Sequence, residues 1–275
     1  MIMRFPGGLR KALTLSYDDG VEQDIDLIPI LDKHGIRATF NISSGLFCPE
    51  GRVYPAGQVH RPMTLAKAKA VYGGSAHEVA VHCYTHANLP ELPLSAAIRE
   101  VMLDRENLER EFGGIIRGMA YPFGAYNEAI VRMLADCGIA YSRTVYSSHD
   151  FDFPENWLAL RPTCHHADPQ LDALCDRFLA EEARFSSKLF YLWGHSYEFE
   201  SDNNWDVIRR FCEKMGGHAD IWYATNIEIV DYVNAWRSLT VSADGHAWYN
   251  PTVIPLWGEH NGRVVAIGPG ETVCV

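Results

Sequence analysis

Two adjacent carboxylates, Asp18 and Asp19, close the apolar alternation of KALTLSYDDG. Like charges at such short range repel, so two acids side by side at a strand end either open a turn or share a positive partner. Further along, His82 and His86 stand four residues apart in HCYTH, and His195 follows the apolar run KLFYLWG. Among 12 histidines an H-x-x-x-H pair means little alone, and Cys83 stands where an H-E-x-x-H protease motif has its Glu. Two neutral imidazoles and one carboxylate, however, make a three-ligand zinc-type site with a position left open for water. One of the two aspartates then binds the cation while the other stays free to take a proton, and the cation removes their mutual repulsion.

Such residues need elements that bring distant strand ends together. Short β-branched or apolar runs (ALTLSY, RATFNI, EVAVH, GMAYP, AYSRTV, ALRPT, KLFYLW and DIWYAT) alternate with stretches of helical spacing. The latter run from Gln23 to His34, Thr64 to Tyr72, Ser95 to Phe112, Asn127 to Cys137, Pro169 to Ala183, Trp205 to Met215 and Ile227 to Trp236. Repeated βα units predict a parallel, helix-covered sheet, and about seven or eight strands in one domain favour closure into a barrel. In a barrel the polar strand ends meet at the C-terminal face: Asp18 and Asp19, His82, His195, and Arg143 closing AYS. Leu239 to Val275 differs, with Gly, Pro and Asn punctuating short strand-like runs. The expectation is an α/β barrel over residues 1–238 and a short β-rich C-terminal extension, 239–275, packed on it.

The 275-residue chain carries a formal charge of -11, which disfavours nucleic acid and anionic membrane surfaces as partners. No run approaches the roughly 18 to 20 apolar residues of a membrane span, and the first residues lack the pattern of a signal peptide, so the reading is a cytoplasmic protein. A homo-oligomer is compatible with all of this. Seven scattered cysteines without a C-x-x-C pair read as reduced thiols packed as small hydrophobes.

The ordered set SYDDG, HCYTH, AYPFG and LWGH, spanning about Lys11 to Trp236, resembles the polysaccharide deacetylase family, the NodB-homology domain of carbohydrate esterase family 4. The resemblance implies a distorted (β/α) barrel of about seven strands. It also implies that Asp18 is the general base, that Asp19, His82 and His86 hold a divalent metal, and that His195 is the general acid. The backbone N–H of Phe123 would meet the developing oxyanion, with Tyr121, Pro122 and Trp193 around the substrate. Zinc is the expected metal, and Co²⁺, Mn²⁺, Fe²⁺ or Ni²⁺ suit the same donors.

The chain departs from the family pattern at several points. Tyr17 stands for the usual Phe, and Cys83 for Ser or Thr. Ala120 occupies the position of the Arg that orients the base, which leaves Arg143 as the substitute, with Arg161 behind it. The Asp-Trp motif supporting the histidine acid has no clean match; Asp150, Asp152 and Asp168 are its candidates, while His165 and His166 read as structural. Trp193, Tyr197, Trp157, Phe47 and Tyr121 are aromatic residues near strand ends. The Gly- and Pro-rich stretch SSGLFCPEGRVYPAGQVHRP reads as a wall over the site. The implied activity is metal-dependent removal of acetyl groups from an N- or O-acetylated carbohydrate. The alternatives are hydrolysis of another small amide or ester, including non-acetyl C–N bonds, and a glycan-binding relative with weakened catalysis.

Overall fold

In the computed structural model, which describes Met1–Val275, the short strand β1 (Ile2–Arg4) leads into β2 (Lys11–Asp18), all of whose residues are buried. A parallel strand covered on both faces needs this. Leu13, Leu15 and Tyr17 join Leu27 and Leu31 of helix α1 (Asp24–Lys33) in the larger apolar cluster. Alternation turns Ala12, Thr14, Ser16 and Asp18 the other way, into the barrel.

On one side of β2 the parallel strands β3 (Ala38–Ile42), β4 (Glu78–Val81), β5 (Gly118–Ala120) and β6 (Tyr141–Arg143) follow in order. On the other side lie β8 (Lys188–Gly194) and then β7 (Cys164–His165). Strand β9 (Ile221–Tyr223) pairs with Lys11 to Leu13, below β3, whose pairing starts at Leu15.

The expected strand ALRPT is instead a kinked seam. Leu160 bridges Arg143 of β6, its N–H donating to Ser142 O at 3.0 Å, and Cys164 pairs with Leu192 of β8. Pro162 between them has no N–H for a ladder. The seam joins the two edges of the sheet, which curls into a distorted (β/α) barrel. Gly118 is required inside it, because a Cβ there would lie 2.3 Å from the Tyr141 hydroxyl and 2.5 Å from Glu78 Oε1.

The outer layer consists of α1, α2 (Leu65–Tyr72), α3 (Leu94–Phe112), α4 (Glu128–Asp136), α5 (Leu171–Ala180), the short α6 (Ser196–Ser201), α7 (Asp206–Met215) and α8 (Asn226–Arg237). Seven of these eight match the stretches read from periodicity to within three residues at each end; α6 does not appear among them. Their starts have local causes. Thr64 and Asn127 side chains accept the N–H groups of Lys67 and Ile130, and Thr225 and Glu228 form a reciprocal capping box. No helix is long and apolar enough to cross a membrane. All seven cysteines are free thiols, and Cys83, Cys164, Cys175 and Cys212 are buried.

The C-terminal segment forms two three-stranded antiparallel sheets. One contains β10 (Thr240–Val241), β11 (Ala247–Tyr249) and β14 (Thr272–Cys274). The other pairs β12 (Leu256–His260) with β13 (Arg263–Ile267) and with the N-terminal strand β1. Buried Arg4 ties this sheet down, donating to Glu259 Oε2 at 2.8 Å and to the carbonyls of Ala183 and Arg184. Trp248, Leu256 and Ile267 pack in one apolar cluster with Tyr232 and Val233 of α8.

Candidate active site

The interior side chains at the C-terminal end of the barrel form its last polar layer. Asp18 lies in register with Asn41 of β3, and Asn41 Nδ2 donates to Asp18 Oδ1 at 2.8 Å and to Ser16 Oγ at 2.8 Å. Arg143 Nη2 donates to the other oxygen, Asp18 Oδ2. Ala120 and Arg143 are register partners on adjacent strands, so they occupy one level of the barrel. The guanidinium that reaches Asp18 thus starts from β6, one strand over from Ala120. Arg143 Cζ lies over the Trp193 ring, 4.3 Å from its centroid. Burial pushes the Asp18 carboxyl up, but Arg143, His82 and His195 together hold it below the usual range.

Alternation alone would turn Asp19 outward into the helix layer. Its φ of +81° breaks the strand and brings its carboxylate to the mouth beside Asp18. Three more non-glycine residues with positive φ cluster here: Cys83 (+64°), His86 (+56°) and Phe123 (+60°). Four such residues at one mouth mark backbone strain that the surrounding structure must hold in place. Asp19 Oδ1 lies 3.6 Å from His82 Nε2 and 3.7 Å from His86 Nε2. These separations are too long for hydrogen bonds and suit three donors around one ion with bonds of about 2.0 to 2.2 Å.

The proton placement agrees. His82 Nδ1 lies 2.9 Å from Ala120 O and so carries the hydrogen, which leaves the Nε2 lone pair facing Asp19. The His82 backbone is fixed as well: its N–H donates to Asp104 Oδ2 at 2.9 Å, and Asp104 Oδ1 accepts from Ser44 N–H at 2.7 Å. Burial depresses the basicity of His86, and the neighbouring His82 adds to this, which keeps its imidazole neutral. Asp19, His82 and His86 thus form a candidate metal centre with donors suited to a divalent cation.

Opposite this triad, His195 Nε2 is 3.9 Å from Asp18 Oδ2. The carboxylate on its far side is one that inspection of the sequence overlooks. Glu198 Oε1 lies 3.3 Å from His195 Nδ1, while Glu198 Oε2 accepts the His195 backbone N–H at 3.2 Å. The signal was present as H-x-x-E, the spacing of a capping box at the start of α6. Burial lowers the basicity of His195, but Glu198, Asp18 and Asp19 outweigh it, so the imidazolium persists above its ordinary range. Asp152 is instead paired with Lys188 at 2.6 Å and Asp168 with His149 at 2.6 Å, while Asp150 is exposed. Arg161 is also exposed and does not pair with Asp18.

His165 and His166 turn toward the site: the Nε2 atoms of both lie 3.1 Å from Glu198 Oε2. His165, His195 and Glu198 are metal-type donors too, but Ala167 N–H donates to His165 Nδ1 at 3.1 Å, which puts the imidazole proton on Nε2, toward Glu198. This second cluster is a hydrogen-bonded hub around one carboxylate. Burial lowers His166 to about 4, so it stays neutral.

Three residues expected around a substrate are all buried. Tyr121 is buried, its hydroxyl donating to Leu158 O at 2.7 Å and its ring stacked on Tyr126. Pro122 is buried as well, and Trp193 is covered by Arg143 and His165. Phe123 is the aromatic residue that faces solvent, 66% exposed, with its ring edge-on to His86 at 4.6 Å. Across the mouth, Tyr197 packs near His195 and meets His60 edge-on.

A parallel barrel with imidazoles and carboxylates gathered at its C-terminal mouth defines an enzyme-type (β/α) barrel. Residues 7–142, which include Asp18, Asp19, His82, His86 and Phe123, match the polysaccharide deacetylase family model, which places this part of the chain in that family. Among solved structures, a putative polysaccharide deacetylase from Mycobacterium smegmatis is 17% identical, with 85% of this chain and 93% of that one covered and a TM-score of 0.59. The Xyl-CE4 domain of a multidomain xylanase from the hindgut metagenome of Trinervitermes trinervoides is 14% identical over 82% and 92% of the two chains, with a TM-score of 0.50. The Streptococcus pyogenes deacetylase PplD is 21% identical over 53% of this chain, with a TM-score of 0.43, and this chain spans 61% of its length. At such identities the likeness is one of fold. No curated protein matches the sequence.

Proposed function

We propose that the protein is a metal-dependent deacetylase that removes acetyl groups from an N- or O-acetylated carbohydrate. One observation carries the reading: Asp18 Oδ2 stands 3.9 Å from both His82 Nε2 and His195 Nε2, between the clustered donors Asp19, His82 and His86 on one side and the His195 imidazole on the other. Asp19, His82 and His86 would hold the cation, zinc being the first choice for this donor set. When bound, such a cation lowers the pKa of its water to about 7 and polarises an acyl carbonyl.

The chain's own groups divide the proton work. Asp18, kept ionised by Arg143, takes a proton from the attacking water at Oδ2. His195, kept protonated by Glu198, gives its Nε2 proton to the departing sugar nitrogen or oxygen. The backbone N–H of Phe123 stabilises the oxyanion, and its exposed ring offers a sugar an apolar face.

Acetate release tests this, measured on acetylated oligosaccharides and small acetyl esters with protein stripped of metal and then refilled with zinc, cobalt or manganese. Release that requires metal and disappears in Asp18→Asn supports the reading. With metal bound and no acetate formed from any of them, the deacetylase assignment fails, and the same residues would be tested on non-acetyl amides.

A further inference from the structure

The second oxygen of Asp19 is engaged from outside the barrel. Asp19 Oδ1 faces His82 and His86, and Asp19 Oδ2 lies 3.3 Å from His60 Nε2. His60 belongs to the long connection between β3 and α2, whose end is sewn to the chain just after Asp19. Val21 and Pro62 form an antiparallel bridge, Glu22 N–H donates to Arg61 O at 2.8 Å, and Met63 N–H donates to Gly20 O at 3.0 Å.

Next to His60, Arg61 closes a three-element clamp. Its Nη1 and Nη2 each donate to Glu200 of α6 at 2.7 Å, its Nε donates to Glu22 at 3.1 Å, and Gln23 Nε2 bonds both Glu200 (2.6 Å) and Val59 O (2.7 Å). The side chain of His60 is 48% exposed, so burial does not dictate its position; the clamp and the edge of Tyr197 do.

A carboxylate ligand with one oxygen free to rotate loses orientation entropy when it binds an ion, and a fixed donor on its other oxygen removes that cost beforehand. We propose that His60 is a positioning residue for the metal carboxylate. Its Nε2–H holds Asp19 Oδ2 so that Oδ1 stays aimed at His82 and His86, and Arg61 is the latch that keeps His60 there. The inference rests on Asp19 being a metal ligand.

Zinc binding to the full chain, measured by competition with a chromophoric chelator, tests it. His60→Ala is expected to weaken zinc affinity by about tenfold or more, the usual range for a partner behind a ligand, with the melting temperature of the metal-free protein unchanged. His60→Gln, which retains an N–H donor, recovers much of the loss. Arg61→Ala weakens zinc binding in the wild-type background and adds nothing in His60→Ala, because both act through the same contact. Wild-type affinity in His60→Ala, with zinc lost in Asp19→Asn, overturns the inference and leaves the metal centre standing. Unchanged affinity in Asp19→Asn removes the metal-ligand reading itself.

Discussion

Arg143 at the end of β6 and Asp18 at the end of β2 are joined through the interior of the barrel, and both side chains are almost wholly withdrawn from solvent. Removing one member of a buried ion pair strands the other, at a cost of about 3 to 5 kcal/mol. Arg143→Met is therefore expected to lower the melting temperature sharply. The double variant Asp18→Leu/Arg143→Met should regain most of that loss while remaining inactive. An unchanged melt in Arg143→Met would show that water or another group compensates Asp18.

Asp18 is not one of the three clustered metal donors, whose shared oxygen is Asp19 Oδ1. Asp18→Asn should keep zinc affinity within a few-fold of wild type while lowering kcat by about 10² to 10⁴, the range for a lost general base. A zinc titration and acetate release on the same preparation measure both. Loss of zinc in Asp18→Asn would exchange the roles of the two aspartates.

The pH profile separates base from acid. Activity requires Asp18 ionised, and Arg143 holds it below the ordinary carboxylate range despite burial, so the acid limb should lie below that range. It also requires His195 protonated, and Glu198 and the two aspartates raise it against burial, so the alkaline limb should lie above the ordinary imidazole range. Glu198→Gln removes the carboxylate that favours the imidazolium and should move the alkaline limb to lower pH, leaving the acid limb in place. A profile of kcat/KM for both proteins checks this; an unmoved alkaline limb would detach Glu198 from the acid.

The barrel strands and most helices were legible because their cause is local. Period-2 and period-3.6 patterns, with Thr64, Asn127 and Thr225 as caps, suffice to place them. The paired acids were legible as a question, and φ at Asp19 answers it, since only a break in the strand lets neighbours share one mouth. What lay hidden depends on distance in sequence. Glu198 does not stand out in the sequence, because its H-x-x-E spacing from His195 is that of an ordinary capping box. His60 sits in a loop without periodicity, and only the clamp from Arg61 to Glu22 and Glu200 brings it to Asp19. The seam at Leu160 and the pairing of β1 with β12 likewise join segments that no local pattern relates.

Three carboxyls, those of buried Asp24 and Asp104 and of half-buried Glu78, are shifted in the opposite sense to Asp18. Burial raises Glu78 to about 7, although Tyr141 Oη (2.8 Å), Thr39 Oγ1 (2.8 Å) and Ile227 N–H (2.9 Å) all donate to it. Burial likewise raises Asp24 to about 7, only partly offset by the 2.5 Å hydrogen bond from the Tyr72 hydroxyl. A carboxyl whose pKa is higher folded than unfolded contributes stability that is complete below about pH 4 and is lost as pH rises through about 7. Each such group contributes a slope of up to about 1.4 kcal/mol per pH unit across that window. His166, held down to about 4, and the depressed His86 act in the opposite sense over the same window, so the share of Glu78 is read from the difference in slope between the wild type and a Glu78 variant. In Glu78→Gln the amide oxygen can accept from Ile227 and Thr39 while its nitrogen donates to Tyr141, so the variant should fold but lack the Glu78 contribution to the slope. Melting temperatures of both metal-free proteins at pH 5, 6, 7 and 8 decide it: the same pH dependence in wild type and Glu78→Gln would remove Glu78 from the account.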